Sequence, residues 1–159
     1  MKKYLIVNIV DSSNIPTLFS SEKWPLHLTL LMHFNTDKPV EHIVTELEKC
    51  TNKLKAFEVL VESESEFGPN LNVPASIIQA SKELSELHAN LMGVVKKLDA
   101  TYDEPIYIGT GYRPHVTTQG GVKLSIGQTL LVDNVTLAER IEVPKGKLIK
   151  IVKTFGLKF

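Results

Sequence analysis

Apolar positions recur along the chain with two periods, and these sort it into elements. Residues 3–10 have period two, with Leu5, Val7 and Ile9 on one face and Tyr4, Ile6 and Asn8 on the other. This predicts a first strand. A polar stretch from Asp11 to about Lys23, holding Pro16, reads as a loop. Trp24-Pro25 closes it and leads into a strand over 26–34. Thr36, Asp37 and Pro39 signal a helix start, and the helix to about Cys50 buries Val40, Ile43, Val44 and Leu47. Residues 56–62 alternate again, with Phe57, Val59 and Val61 against Glu58 and Glu62. Residues 63–70, with Gly68-Pro69, read as a turn, and 73–79 as a strand. Ser81 can cap a helix from about 82 to 98 that places Leu84, Leu87, Leu91, Val94 or Val95, and Leu98 at helical spacing.

In the rest of the chain a loop with Asp103, Glu104 and Pro105 precedes Ile106-Tyr107-Ile108. A strand over 112–118 ends at Gly120-Gly121. Residues 128–142 pattern as one long strand or hairpin arm, bent near Asp133-Asn134. Pro144-Lys145-Gly146 is a turn, and 147–157 a last strand. The helices do not alternate strictly with about seven strands. That predicts an α+β fold, mostly antiparallel, as a single domain over 1–159. The order strand, motif strand, helix, strand in the first half is partly echoed in the second. It predicts an internal duplication about a pseudo-twofold axis.

One short pattern occurs twice. Trp24-Pro25-Leu26-His27-Leu28-Thr29-Leu30 and Tyr112-Arg113-Pro114-His115-Val116-Thr117-Thr118 each set a His two residues before a Thr, just after an aromatic and a Pro. On a strand, residues i and i+2 share a face, so each copy aims an imidazole and a hydroxyl the same way. The chain's five histidines and its threonines, scattered at random, would give roughly 0.4 such triplets. Two copies with matched flanks therefore call for a chemical reading.

Charge narrows that reading. Eighteen basic and eighteen acidic residues cancel, so no bulk positive field or basic track holds long nucleic acid. A small or short phosphate-bearing ligand at one site fits better. Cys50 is the only cysteine, which excludes an internal disulfide framework and points to the cytoplasm. The opening apolar run is too short for a signal peptide, is broken by Asn8 and ends at Asp11. No stretch has the length to span a bilayer, and a monomer is expected.

Two histidines flanking a phosphodiester suit in-line displacement. One takes a proton from the attacking oxygen and the other protonates the leaving oxygen, since an imidazole titrates near 6.5. Two hydroxyls can hold the non-bridging oxygens. His27 and His115 are thus the candidate catalytic pair, and Thr29 and Thr117 the phosphate-binding pair. No cofactor is called for. Metal catalysis is disfavoured because neither motif carries a carboxylate or Cys beside its His. His33 lies six residues beyond His27, roughly 20 Å along an extended strand, too far for the same phosphate. His42 reads as solvated and His88 as packed at the core edge. Arg113 can pair with a phosphate. Trp24 and Tyr112 can stack on a base, with packing the competing role and the favoured one for Tyr112. Phe67 and Gln119 are further candidates for the cleft rim.

These two motifs, with this order of strands and helices, resemble the two-histidine phosphoesterase superfamily, which includes the RNA 2′,5′-ligase-like proteins and the cyclic nucleotide phosphodiesterases. The resemblance covers essentially the whole chain, and its specific part is His27-Leu28-Thr29-Leu30 with His115-Val116-Thr117-Thr118. It implies a bilobal α+β fold of two mostly antiparallel sheets, helices outside, and both motifs lining a central cleft. It also implies metal-independent cleavage of cyclic nucleotide or RNA-end phosphodiesters, with His27 and His115 as acid and base and Thr29 and Thr117 on the phosphate. Two departures stand out. Thr118 occupies a usually apolar motif position, and only residues 122–127 separate the second motif from the next strand, where the family usually has a helix. The alternatives are a non-catalytic nucleotide-binding module on the same fold and an enzyme that ligates or processes RNA ends.

Overall fold

The computed structural model describes residues 1–159. The strands are β1 (Lys2–Ile9), β2 (Leu18–Ser20), β3 (His27–Thr36), β4 (Phe57–Phe67), β5 (Val73–Ile78), β6 (Thr101–Tyr102), β7 (His115–Thr117), β8 (Thr129–Val132), β9 (Asn134–Val143) and β10 (Gly146–Gly156). The helices are α1 (Val40–Thr51) and α2 (Lys82–Lys97). Pro39 stands at the N-cap of α1, and the Ser81 hydroxyl caps α2 by accepting from the Leu84 N–H.

The alternation in the first strand buries both of its faces. Tyr4 and Ile6 enter the main core with Leu28, Leu30, Phe34 and Val116. The helices cover that core with Ile43, Leu47, Leu84, Leu87, Leu91, Val94 and Val95. Leu5, Val7 and Ile9 point the other way and join Ala138 and Ile149 in a second, smaller core, roofed by Ile15, Phe19 and Trp24. Each fully buried aliphatic side chain contributes roughly 1.5–3 kcal/mol, so the larger cluster supplies most of the stability.

The strands form one strongly curled antiparallel sheet in the order β2-β10-β9-β1-β3-β7-β5-β4-β8, with β6 also on β3. The mixed, antiparallel α+β architecture matches expectation, but a single sheet path replaces the two separate sheets. The join is the β3–β7 pair, which brings the two motif strands side by side.

Three local expectations are corrected. Residues 63–67 continue β4 as its pairing with β5 runs on through Phe67↔Val73, so the turn begins only at Gly68. Gly68 has φ +88°, a left-handed conformation that suits glycine. The stretch 128–142 is not one strand: it divides at Asp133, the predicted bend, into β8, which pairs with β4 at one edge of the sheet, and β9, which lies between β1 and β10 and forms one arm of the β9–β10 hairpin. The loop after Asp11 contains the short strand β2, which pairs with β10.

Asn134 seals the β1–β9 junction. Its Oδ1 accepts from the Ile9 N–H at 3.0 Å and its Nδ2 donates to the Ile9 carbonyl at 2.9 Å. Ile9 is the register partner of His27, so this side chain fixes the strand end on which the first motif lies.

Candidate active site

The motif strands meet at one register pair, Leu28 opposite Val116, both fully buried in the main core. In an antiparallel ladder, one step either side of that pair sets His27 across from Thr117 and Thr29 across from His115. Since neighbours along a strand alternate faces, all four polar side chains emerge on the face opposite Leu28 and Val116. His27 and His115 are diagonal neighbours, with backbones on the order of 7–8 Å apart. The 3.3 Å rise of each strand and the 4.8 Å gap between strands thus gather two imidazoles and two hydroxyls on one small patch.

Both rings are held in the same way. His27 Nδ1 lies 2.9 Å from the Pro25 carbonyl oxygen, and His115 Nδ1 lies 2.7 Å from the Arg113 carbonyl oxygen. A carbonyl only accepts, so each Nδ1 carries the hydrogen and donates it. Each neutral ring then has a bare Nε2. The acceptor is the second residue before the His in both copies, so the repeated sequence repeats the tautomer as well as the strand.

The surroundings differ. The His27 ring packs on Trp24 at 4.2 Å between centroids, and Trp24 meets Phe19 edge-on at 5.3 Å. The His115 ring stacks on Phe67 at 4.4 Å and 17°, and the Arg113 guanidinium sits over that same Phe67 ring at 4.7 Å. Burial pushes His27 down to about 4, against the Pro25 carbonyl, which favours its proton, and the charge on His115 pushes the same way as burial. Burial also lowers His115, opposed by the Arg113 carbonyl and aided by the Arg113 guanidinium.

A cavity of about 530 Å³ opens beside the pair. Thr29, Tyr112, Arg113 and His115 line it from the motifs, Phe67, Gly68 and Pro69 from the β4–β5 turn, and Met32, Glu104 and Tyr107 from elsewhere. His27 and Thr117 sit beside the cavity rather than in its wall. Sequence pattern missed Met32, Glu104 and Tyr107. Met32 shares the cavity with Thr29, three residues earlier, because the β1–β3 register shifts between Tyr4 and Val7 and resets the alternation of β3. No periodic signal announces that bulge.

The remaining candidates separate cleanly. Arg113 is exposed and lines the cavity. Trp24 packs against His27 and the second core, and is absent from the cavity wall. Tyr112 is a structural strut: its ring stacks on His88 at 4.0 Å and its hydroxyl donates to the Thr29 carbonyl at 2.7 Å, while burial raises its pKa. His88 is held at both ends, with Nδ1 donating to the Leu30 carbonyl at 2.8 Å and Nε2 accepting from the Gly109 N–H at 2.9 Å. His33 faces Arg140 at 3.5 Å, away from the pair, and His42 is exposed on α1. No group of three or more His, Cys, Asp or Glu side chains comes together in a metal-binding arrangement. No helix is long and apolar enough to cross a membrane.

The model of the 2′-5′ RNA ligase superfamily matches residues 14–140, which include both motifs. No curated protein matches the chain by sequence. Among solved structures, TT0787 of Thermus thermophilus is similar at 16% identity and a TM-score of 0.65, over 99% of this chain and 98% of that one. E. coli LigT complexed with 3′-AMP gives 12% identity and a TM-score of 0.65, over 99% of each chain. A phosphoesterase gives 12% identity and a TM-score of 0.64, also over 99% of each. At these identities the likeness to solved structures is one of fold.

Proposed function

The chain belongs to the 2′-5′ RNA ligase superfamily, and from that premise we propose that it is a phosphodiesterase of the two-histidine type, cleaving cyclic phosphodiesters of nucleotides or RNA ends without a metal. The observation that carries this reading is the matched pair of rings. Each Nδ1 is tied to a carbonyl two residues back, each Nε2 is left for chemistry, and each ring stands across the ladder from the other motif's Thr.

In hydrolysis one Nε2 takes a proton from water as its oxygen attacks phosphorus. The bond from phosphorus to the ribose oxygen breaks, and the other Nε2–H protonates that oxygen. The two rings end with their protonation exchanged, and solvent resets them. The chemistry needs one ring neutral and one protonated. Burial and mutual repulsion disfavour two protons on the empty site, and a bound phosphate anion favours one. Thr29 and Thr117 donate to the non-bridging oxygens, where negative charge grows. Arg113, above Phe67, draws the phosphate into the cavity.

A nucleotide ligand fits the cavity's size and its mixed apolar and polar wall. The binding of 3′-AMP by E. coli LigT, a relative in fold, supports the same class. The bilobal reading belongs to this proposal. The β3–β7 seam leaves β2, β10, β9, β1 and β3 on one side and β7, β5, β4 and β8 on the other, each side carrying one motif. We place the protein in the cytoplasm as a monomer.

The test is turnover in EDTA of 2′,3′-cyclic mononucleotides, short RNAs with a cyclic phosphate end, and cyclic di- and trinucleotides. His27→Ala and His115→Ala run alongside. Turnover that either variant loses supports the reading. Tight nucleotide binding with no turnover, unaffected by both variants, would replace it with the binding module.

A further inference from the structure

The cavity beside the histidines has opposite charges in its wall. The Arg113 guanidinium attracts an anion beside His115, and Glu104 is the only carboxylate in the lining. The preceding residue, Asp103, is fully engaged: Lys3 Nζ lies 2.6 Å from its Oδ2 and Asn35 Nδ2 donates to its Oδ1 at 2.7 Å. Glu104 has no such partner, and it makes no ion pair with Arg113 across the cavity.

The backbone around Glu104 is stapled to the motif strand. The Asp103 N–H donates to the His33 carbonyl at 3.1 Å, and the Glu104 carbonyl accepts from the Tyr107 N–H at 3.1 Å. Further on, the Tyr112 hydroxyl reaches the Thr29 carbonyl. Gly111 completes the tight loop, since a Cβ there would strike the Ile106 carbonyl oxygen. The backbone of Glu104 is thus held at a set place relative to Thr29 and His115, and its exposed, unpartnered side chain is left to meet a ligand.

A free carboxylate repels phosphate and only accepts hydrogen bonds. A nucleotide with its phosphate at the histidines and Arg113 must therefore turn a donor edge toward Glu104. Guanine presents N1–H and a 2-amino group side by side, which matches the two carboxylate oxygens. Adenine and cytosine present one amino group, and uracil only an N3–H set between two carbonyl oxygens, which a carboxylate repels. Met32 and Tyr107, with Phe67 at the His115 end, supply apolar surface for a base in the same cavity.

We propose that Glu104 reads the nucleobase and favours bases bearing an amino group, guanine first and uracil last. This rests on the phosphodiesterase reading of the same cavity.

The test compares kcat/KM for the 2′,3′-cyclic phosphates of guanosine, cytidine, adenosine and uridine. The wild type should favour guanosine over uridine by roughly tenfold or more, the range of one good bidentate base contact. Glu104→Ala should bring that ratio close to one, chiefly by lowering kcat/KM for guanosine. Glu104→Gln, which keeps one acceptor oxygen, should fall between, and covers the case in which the Ala variant folds poorly. A wild type without base preference would overturn the proposal. So would an equal loss on all four substrates in Glu104→Ala, which would place the carboxylate on the ribose. Equilibrium binding of 3′-GMP and 3′-UMP to the wild type keeps the two readings apart. Preference for 3′-GMP with no turnover of any substrate would sink the phosphodiesterase and leave base reading standing.

Discussion

The two motifs share a pattern but not a setting. The first lies on β3, a ten-residue strand in the middle of the sheet, and its His is backed by Trp24 and the second core. The second lies on β7, three residues long, and its His is backed by Phe67 and lines the cavity with Arg113. One ring is built into the scaffold and the other faces the cavity. Burial lowers both: it takes His27 down to about 4, and at His115 the Arg113 guanidinium adds to it. Equal sequence gives equal tautomers, because the tautomer depends on a carbonyl two residues away. Proton affinity depends on what packs around the ring, and there the copies part.

Removing either ring should have the largest effect. Acid or base catalysis by one side chain contributes roughly 10²–10⁴ in rate, so His27→Ala and His115→Ala should each lower kcat by that factor. The comparison is sharpened by folding. His27→Ala also leaves a gap beside Trp24 and should lower the melting temperature, whereas His115→Ala should barely move it. Equal melting temperatures would remove the distinction between scaffold ring and cavity-facing ring.

Replacing the two backing aromatics separates the copies next. Trp24→Ala strips the roof of the second core. It is half-buried, so the loss should be roughly 2 kcal/mol, below the 3–5 kcal/mol of a fully buried aromatic. Phe67→Ala should cost less stability but raise KM several-fold, as it frees both the His115 ring and the Arg113 guanidinium. Thermal melts and steady-state kinetics on the pair check this. A KM effect from Trp24 and a stability effect from Phe67 would reverse the comparison.

The pH dependence follows from the same contrast. Nuclear magnetic resonance titration of the ring protons should show both His27 and His115 taking a proton below the ordinary value near 6.5, with His27 staying neutral to about 4. In the proposed mechanism the ring that titrates lower would serve as the base and the other as the acid. Stability carries the sign of these shifts. Unfolded histidines titrate near 6.5, so below that value the unfolded chain binds more protons than the folded one. Stability is full above about 6.5 and declines as the pH falls toward 4, with His33, also held near 4, adding to the slope. His27→Gln should flatten that decline in part.

What was legible in the sequence depended on range. Period two gave β1 and β3, and helical spacing with Ser81 and Pro39 gave both helices, because those signals are local. The repeated motif gave the histidines and threonines for the same reason. The seam did not show, since Leu28↔Val116 joins residues far apart in the chain and no local pattern encodes which strands pair. Glu104 and Tyr107 reach the cavity on a loop placed by long-range contacts such as Asp103 to His33. Phe67 read as turn because Gly68-Pro69 outweighed the alternation before it, yet cross-strand pairing carries β4 through it.

The smallest expected effect tests how the second motif's flank supports the first. Tyr112 precedes His115 by three residues, but its hydroxyl donates to the carbonyl of Thr29 in the other motif. Tyr112→Phe keeps the ring on His88 and deletes only that bond. The Thr29 carbonyl is then left short of a donor, at a net cost of about 1 kcal/mol. Because the lost bond spans the two motif strands, the change should also loosen Thr29 and raise KM about two- to threefold with kcat nearly constant. Trp24 makes no such bond to the second motif, so the support runs one way. A Tyr112→Phe variant with wild-type KM and a lowered melting temperature would show that the strut serves the fold alone. An unchanged melting temperature with raised KM would show that it serves the ligand.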